Sequence, residues 1–240
     1  MRLAMLTAFW QRPLISRVYW AGMRRLRDAF ALEGVTVRVY AGLSPGDEPN
    51  HAMASQTGTV RVTAPNAPLS RKLNALSRAA GAWRPDYTLL LDSDDLLSDG
   101  MAHGYADLMR DGVAYTGLRD CYVYDIATDR LGYWPGVPDT SPRAHQAACI
   151  GRLWSYAVAE RMGWQLWPDS TRRRGLGWLS AQRLLAYHVP LASVSCAALG
   201  GVALDCKSET NLWSYNALTL EPADRALLDA FPELRLPVAA

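Results

Sequence analysis

Apolar positions follow two different rhythms along the first half of the chain. Residues 2–9 form a short apolar run, the pattern of a strand buried on both faces. Over residues 16–33, Val18, Ala21, Met23, Leu26, Ala29 and Phe30 instead fall on one face of a helix, with Ser16 as its expected cap and Gly34 as its stop. Residues 36–41 alternate with period two, as a strand does. A loop rich in Pro, Gly and Asp follows, then a third strand over 59–64. The helical pattern over 69–83 is halted by Pro85-Asp86. Residues 87–91, Tyr-Thr-Leu-Leu-Leu, carry the strongest signal for a buried strand and run straight into Asp92. A helix over 99–111, with Asp99 as its cap, and a strand or hairpin arm over 114–124 complete this half.

The second half is less regular. Residues 125–130 read as a hairpin tip and 133–143 as a Pro/Gly-rich loop. Helices are expected over 150–162 and 176–186, a late strand over 199–206, and a terminal helix over 222–231 with Pro222 in its first turn. Strands alternating with helices predict an α/β fold with a mostly parallel central sheet flanked by helices and a smaller α+β portion after it. No repeat or low-complexity linker divides the chain, so residues 1–240 are expected to form a single domain.

Composition adds little constraint. Half of the 240 residues are apolar and the formal net charge is +2, too small to argue for a nucleic-acid partner. The basic residues are unevenly placed, however, with clusters at Arg24, Arg25, Arg27 and at Arg172, Arg173, Arg174. Each cluster is either a solvated face or a landing strip for phosphates. Cys121, Cys149, Cys196 and Cys206 form no C-x-x-C pair, which argues against zinc and for reduced thiols. The apolar start meets Gln11-Arg12-Pro13 too soon for a signal peptide, and no apolar stretch approaches the ~20 residues of a bilayer span. The expected location is cytoplasmic.

The chemistry concentrates at Asp92-Ser93-Asp94-Asp95. Residues i and i+2 of a strand point to one side, so Asp92 and Asp94 can converge on a ligand where the chain leaves the sheet. In doubly wound sheets ligands bind beyond the carboxyl ends of the strands. Hard cations such as Mg2+ or Mn2+ take one or two carboxylates and complete their shell with water and substrate phosphates. The competing reading is that these aspartates cap a helix or fill a turn.

The run Tyr87-Thr-Leu-Leu-Leu-Asp-Ser-Asp-Asp95 resembles the D-x-D segment of glycosyltransferases of the GT-A fold, family 2-like members in particular. Lys72-Leu73-Asn74 is similar to the basic-plus-Asn signal those enzymes carry before that strand, and residues 6–13 are similar to the opening loop of such domains. The resemblance implies a Rossmann-like GT-A fold in which residues 1–125 bind a nucleotide-diphosphate sugar, such as a UDP- or GDP-sugar, and 126–240 form the acceptor side. It also implies a metal at Asp92 and Asp94, with Asp205 completing the shell from a late segment. Thr7, Ala8 and Arg12 would line the base and ribose pocket. Asp92, Ser93, Asn74 and Lys207 would contact the donor. Lys72 would either meet the diphosphate or remain a solvated helix lysine.

An inverting transferase needs a carboxylate base for the acceptor hydroxyl. By the family's spacing Asp169, in Trp167-Pro168-Asp169-Ser170, takes that role, unless it merely caps a helix; the family's usual Glu-Asp pair is absent. Trp167 and Arg172 to Arg174 are the expected acceptor contacts, the acceptor being either a hydroxymethylated base in DNA or a glycan. Two rivals remain. A sugar-phosphate nucleotidyltransferase would need a Gly-rich loop after the first strand, where Ala8-Phe9-Trp10-Gln11 stands. A non-enzymatic nucleic-acid-binding module would rely on the arginine clusters alone.

Overall fold

The computed structural model describes residues 1–141, 143–144, 146–147, 150–172, 175–208 and 218–235. Its centre is β1 (Arg2–Ala8), whose residues 3–7 are all buried, as an apolar run without alternation requires. β1 lies between β2 (Thr36–Leu43) and β4 (Tyr87–Leu90), parallel to both, and β3 (Val60–Thr63) pairs parallel to β2. Beyond β4 the sheet changes direction. β9 (Arg152–Ser155) runs antiparallel to β4, and β6 (Tyr115–Thr116) antiparallel to β9, giving the order β3-β2-β1-β4-β9-β6.

Helices α1 (Pro13–Leu32), α2 (Glu48–Gln56), α3 (Leu69–Gly81) and α4 (Gly100–Arg110) belong to this first half. Ser16, the expected cap of α1, is buried inside the helix; Pro13 opens it, where the missing N–H costs nothing. Gly34 ends it with φ +72°. Asp99 makes no capping hydrogen bond and pairs with Arg25 instead. The loop expected after β2 contains α2. That helix buries only Asn50 and Ala54, so it carries no apolar stripe to read, and its proline sits in the first turn.

A second, five-stranded sheet has the order β11-β8-β7-β10-β5. Its members are β5 (Asp95–Leu97), β7 (Cys121–Asp125), β8 (Arg130–Trp134), β10 (Ala203–Lys207) and β11 (Glu221–Pro222). The hairpin tip expected at 125–130 joins β7 to β8, with Asp125 opposite Arg130. The helix expected over 150–162 is β9 followed by the short α5 (Tyr156–Arg161), divided at Ser155, whose hydroxyl caps α5. Helix α6 (Leu176–Ala186) matches its expectation. The terminal helix is only α7 (Arg225–Leu228), capped by Asp224, while Pro222 belongs to an edge strand.

The two sheets meet at the acidic cluster. β4 ends at Leu90, the Leu91 N–H still donates to Leu6 O at 3.1 Å, and β5 begins at Asp95. Residues 92–94 are therefore the short passage between sheets. β10 returns from late in the chain to pair with β5 and β7, with Asp205 opposite Asp95. No helix among the described residues is long and apolar enough to cross a membrane.

Candidate active site

The passage between the sheets is closed by a reciprocal turn. The Asp92 N–H donates to Asp95 Oδ2 at 2.8 Å, and the Asp95 N–H donates to Asp92 O at 3.0 Å. β10 is fastened to it by the Cys206 N–H, which donates to Asp94 O at 2.8 Å. This geometry brings Asp94, Asp95 and Asp205 together, each with a carboxylate oxygen within 4.8 Å of the others. An all-oxygen donor set of this kind suits a hard divalent cation. The triad differs from the expected Asp92, Asp94 and Asp205: Asp92 stands outside it and Asp95, read from sequence only as a neighbour, is inside. The turn through Ser93 and Asp94 breaks the strand alternation on which that pairing depended.

Positive charge surrounds the triad. Arg12 Nη1 donates to Asp94 Oδ2 at 3.1 Å and Nη2 to Ser93 Oγ at 2.9 Å. Lys207 Nζ lies 2.5 Å from Asp205 Oδ1 and 3.8 Å from Asp94 Oδ2. Arg152, which sequence reasoning missed, is buried on β9 in register with Leu90, and its charge acts on Asp92. A Cβ at Gly177 would lie 3.2 Å from an Arg152 Nη atom, so the first turn of α6 packs closely on that guanidinium. Nothing in the helix-like apolar pattern around residue 152 marks this arginine; only the pairing of β9 with β4 does.

Burial and like charge raise Asp92, Asp95 and Asp205. Asp92 is pushed up to about 6, by burial and then by Asp94. Asp205 is pushed up to about 7 by burial, against the pull of Lys207. Asp95 lies well above its ordinary value, again through burial first and Asp92 second. Burial opposes the charged form of Lys207, yet Asp205 and Asp94 outweigh it and hold the ammonium above its usual value.

Several expected donor contacts lie elsewhere. The Thr7 side chain is fully buried, its hydroxyl bonded to the Tyr19 hydroxyl, so it lines no open pocket. Ala8 is half-buried at the end of β1. Arg12 faces Asp94 rather than a base pocket. Lys72 is neither solvated nor at the acidic cluster: it is fully buried and donates to Phe9 O and, at 2.8 Å, to Ser44 Oγ, bracing the ends of β1 and β2. Asn74 is a clamp, its amide donating to Trp167 O at 2.7 Å while its Oδ1 accepts the Trp167 N–H at 3.1 Å. Asn74→Leu leaves both Trp167 groups without partners in a buried place and is expected to cost about 2–4 kcal/mol, read from chemical denaturation.

Lys72 also carries a pH signature. Burial lowers its ammonium to about 8 from the ordinary 10.5. The folded state therefore disfavours the charged form, and the resulting penalty is present below about 8 and relieved as pH rises toward 10.5. The stability gap between wild type and Lys72→Met is expected to move in favour of wild type by up to roughly 2 kcal/mol between about pH 7 and 9.5. A gap that stays constant over this range would contradict it.

Of the residues expected to meet an acceptor, Trp167 is 1% exposed and packs edge-on against Trp154, so it is core rather than a stacking platform. Asp169 is neither a helix cap nor a free base. Its carboxylate is held by Arg71, with contacts of 2.8–3.2 Å at the surface, and that pair lowers its basicity. Arg172 is exposed, while Arg173 and Arg174 lie outside the described residues.

By sequence, no family model and no curated protein matches this chain. By structure, the fold is of the GT-A type. It is similar to the mannosyltransferase PcManGT from Pyrobaculum calidifontis, solved in complex with GDP-Man and Mn2+, with TM-score 0.58 at 10% identity over 90% of this chain and 59% of that one. S. aureus TarS is similar at TM-score 0.49 and 11% identity over 88% of this chain and 59% of that one. The chain thus spans 59% of the length of each.

Proposed function

We propose that this chain transfers a sugar from a nucleotide-diphosphate sugar to a hydroxyl acceptor, with a divalent cation, Mn2+ or Mg2+, held by Asp94, Asp95 and Asp205. The observation that carries this reading is the convergence of those three carboxylates, within 4.8 Å of one another, at the exit of the central strand β4. The mannosyltransferase of like fold was solved with GDP-Man and Mn2+, which supports a nucleotide-diphosphate sugar as donor. A bound cation would supply positive charge against the diphosphate as the sugar–oxygen bond breaks.

The chain's own residues divide the remaining work. Arg12 and Lys207 supply fixed positive charge beside Asp94, suited to phosphate oxygens. Asp92, Ser93 and the half-buried Ala8 edge the donor side. Asn74 and Lys72 position the surrounding loops rather than touch substrate. Residues 1–125 form the donor half and 126–240 the acceptor half of a single domain, the second half returning through β10 to complete the site. The acceptor is a hydroxymethylated base in DNA or a glycan, with Arg172 to Arg174 as the phosphate contacts in the first case.

The test is turnover of UDP- and GDP-sugars with Mn2+ against hydroxymethylated DNA and simple glycans, measured as nucleoside diphosphate released. Transfer that requires both donor and cation supports the reading, while cleavage of a nucleoside triphosphate with release of pyrophosphate would replace it by nucleotidyl transfer. In the same assay Asp169→Asn is expected to keep kcat within about tenfold of wild type, because Arg71 already holds that carboxylate in its charged, weakly basic form.

A further inference from the structure

One oxygen of the site, Asp94 Oδ2, lies between two resident cations, 3.1 Å from Arg12 Nη1 and 3.8 Å from Lys207 Nζ. Arg12 acts on Asp94, Asp92 and Asp205, and Lys207 acts on Asp205, Asp94 and Asp95. A divalent cation entering alone meets carboxylates that already have resident positive partners.

Arg12 differs from Lys207 in its freedom. The Lys207 side chain is 5% exposed on β10, whereas that of Arg12 is 21% exposed on a connecting loop. That loop holds an unusual backbone, with Gln11 at φ 43° and Arg12 at φ 85°, two consecutive left-handed residues that are not glycine. Its shape is imposed from behind. The Gln11 N–H donates to Asp47 Oδ2 at 3.0 Å, and Asp47 is itself buried and bonded to Asn50 Nδ2 at 2.9 Å. Pro13 starts α1 on the other side. The backbone is thereby held while the Arg12 side chain reaches over the site to Asp94 and Ser93.

We infer that Arg12 is the resident counter-ion of Asp94 in the donor-free protein and moves onto the donor diphosphate when a divalent cation takes the carboxylates. Cation and nucleotide then bind as a pair, each weakly alone. This rests on the metal and diphosphate reading proposed above. The guanidinium fork suits both states, since it matches a carboxylate and a phosphate equally well.

The experiment measures protein-bound Mn2+ by equilibrium dialysis, without donor and with saturating UDP or GDP at equal concentration on both sides, so that the Mn2+–nucleotide complex in free solution cancels. In wild type the nucleotide is expected to strengthen Mn2+ binding by about 5–150-fold. In Arg12→Gln, Mn2+ alone is expected to bind about tenfold tighter, because Asp94 has lost its competitor, while the gain from nucleotide falls to a few-fold. Arg12→Lys, which keeps the charge but not the fork, should bind Mn2+ alone as wild type does and lose part of the gain. It serves if the glutamine variant proves poorly folded by its melting curve. The inference is overturned if Arg12→Gln binds Mn2+ no tighter than wild type, or if either variant keeps the full gain. If wild type binds Mn2+ neither alone nor with nucleotide, the metal site itself fails, an outcome distinct from failure of the Arg12 assignment.

Discussion

Asp94→Ala is expected to abolish cation-dependent donor binding and to lower transfer by about a thousandfold, the several kcal/mol that a cation at a developing phosphate charge typically supplies. Asp94 carries this weight because of where it stands. Its Oδ2 is the atom that Arg12 holds and Lys207 approaches, and it is one of three carboxylates presented together. The fold itself should survive. Asp94 raises its neighbours Asp92, Asp95 and Asp205, so deleting it relieves like-charge repulsion, and Lys207 keeps Asp205 as partner. The melting temperature is expected to stay within a few degrees of wild type, or to rise. A variant that loses activity only because it has unfolded would not meet this expectation.

The opposite behaviour is expected of Lys207→Met. Lys207 is 4% exposed and pairs with Asp205, so its removal leaves buried acidic groups short of a counter-charge. Breaking a buried pair from one side costs about 3–5 kcal/mol, a large share of the stability of an ordinary domain. Arg235→Ala, which removes the exposed Arg235–Asp229 pair, is the matched control and should change stability by less than about 1 kcal/mol. Equal effects of the two substitutions in urea denaturation would contradict the view that Lys207 neutralises the cluster. The two variants at the site thus separate its roles, one losing ligand with the fold kept and the other losing the fold.

How much of this could be read from the residues depends on the range of the interaction that decides each feature. β1, β4 and α6 were legible because continuous apolar runs and a helical stripe are local signals. The gathering of carboxylates was legible because three aspartates end the most apolar strand. Which of them converge was not, since Asp95 rather than Asp92 comes together with Asp94 and Asp205 through a turn closed by the Asp92–Asp95 exchange and through the register of β10 on β5. Long-range pairing also hid Arg152 and turned residues 152–155 from helix into strand. Lys72 and Asn74 were expected to contact the donor, but their partners are Phe9 O and Ser44 Oγ for Lys72 and the Trp167 backbone for Asn74, which no spacing within the helix points to. Trp167 was misjudged for the same reason: an aromatic in an irregular segment reads as exposed until Asn74 and Trp154 are seen to hold it in the core.

The most direct test of the central claim is the thermal stability of wild type and Asp94→Ala with UDP- and GDP-sugars, each with and without Mn2+. A donor bound at 100 times its Kd adds about 2.7 kcal/mol, a shift readily seen in melting. The predicted result is that at least one donor raises the wild-type melting temperature only when Mn2+ is present, and that Asp94→Ala shows no such rise. Equal stabilisation of the two proteins, or no stabilisation of wild type by any donor, would contradict a cation and diphosphate site at Asp94.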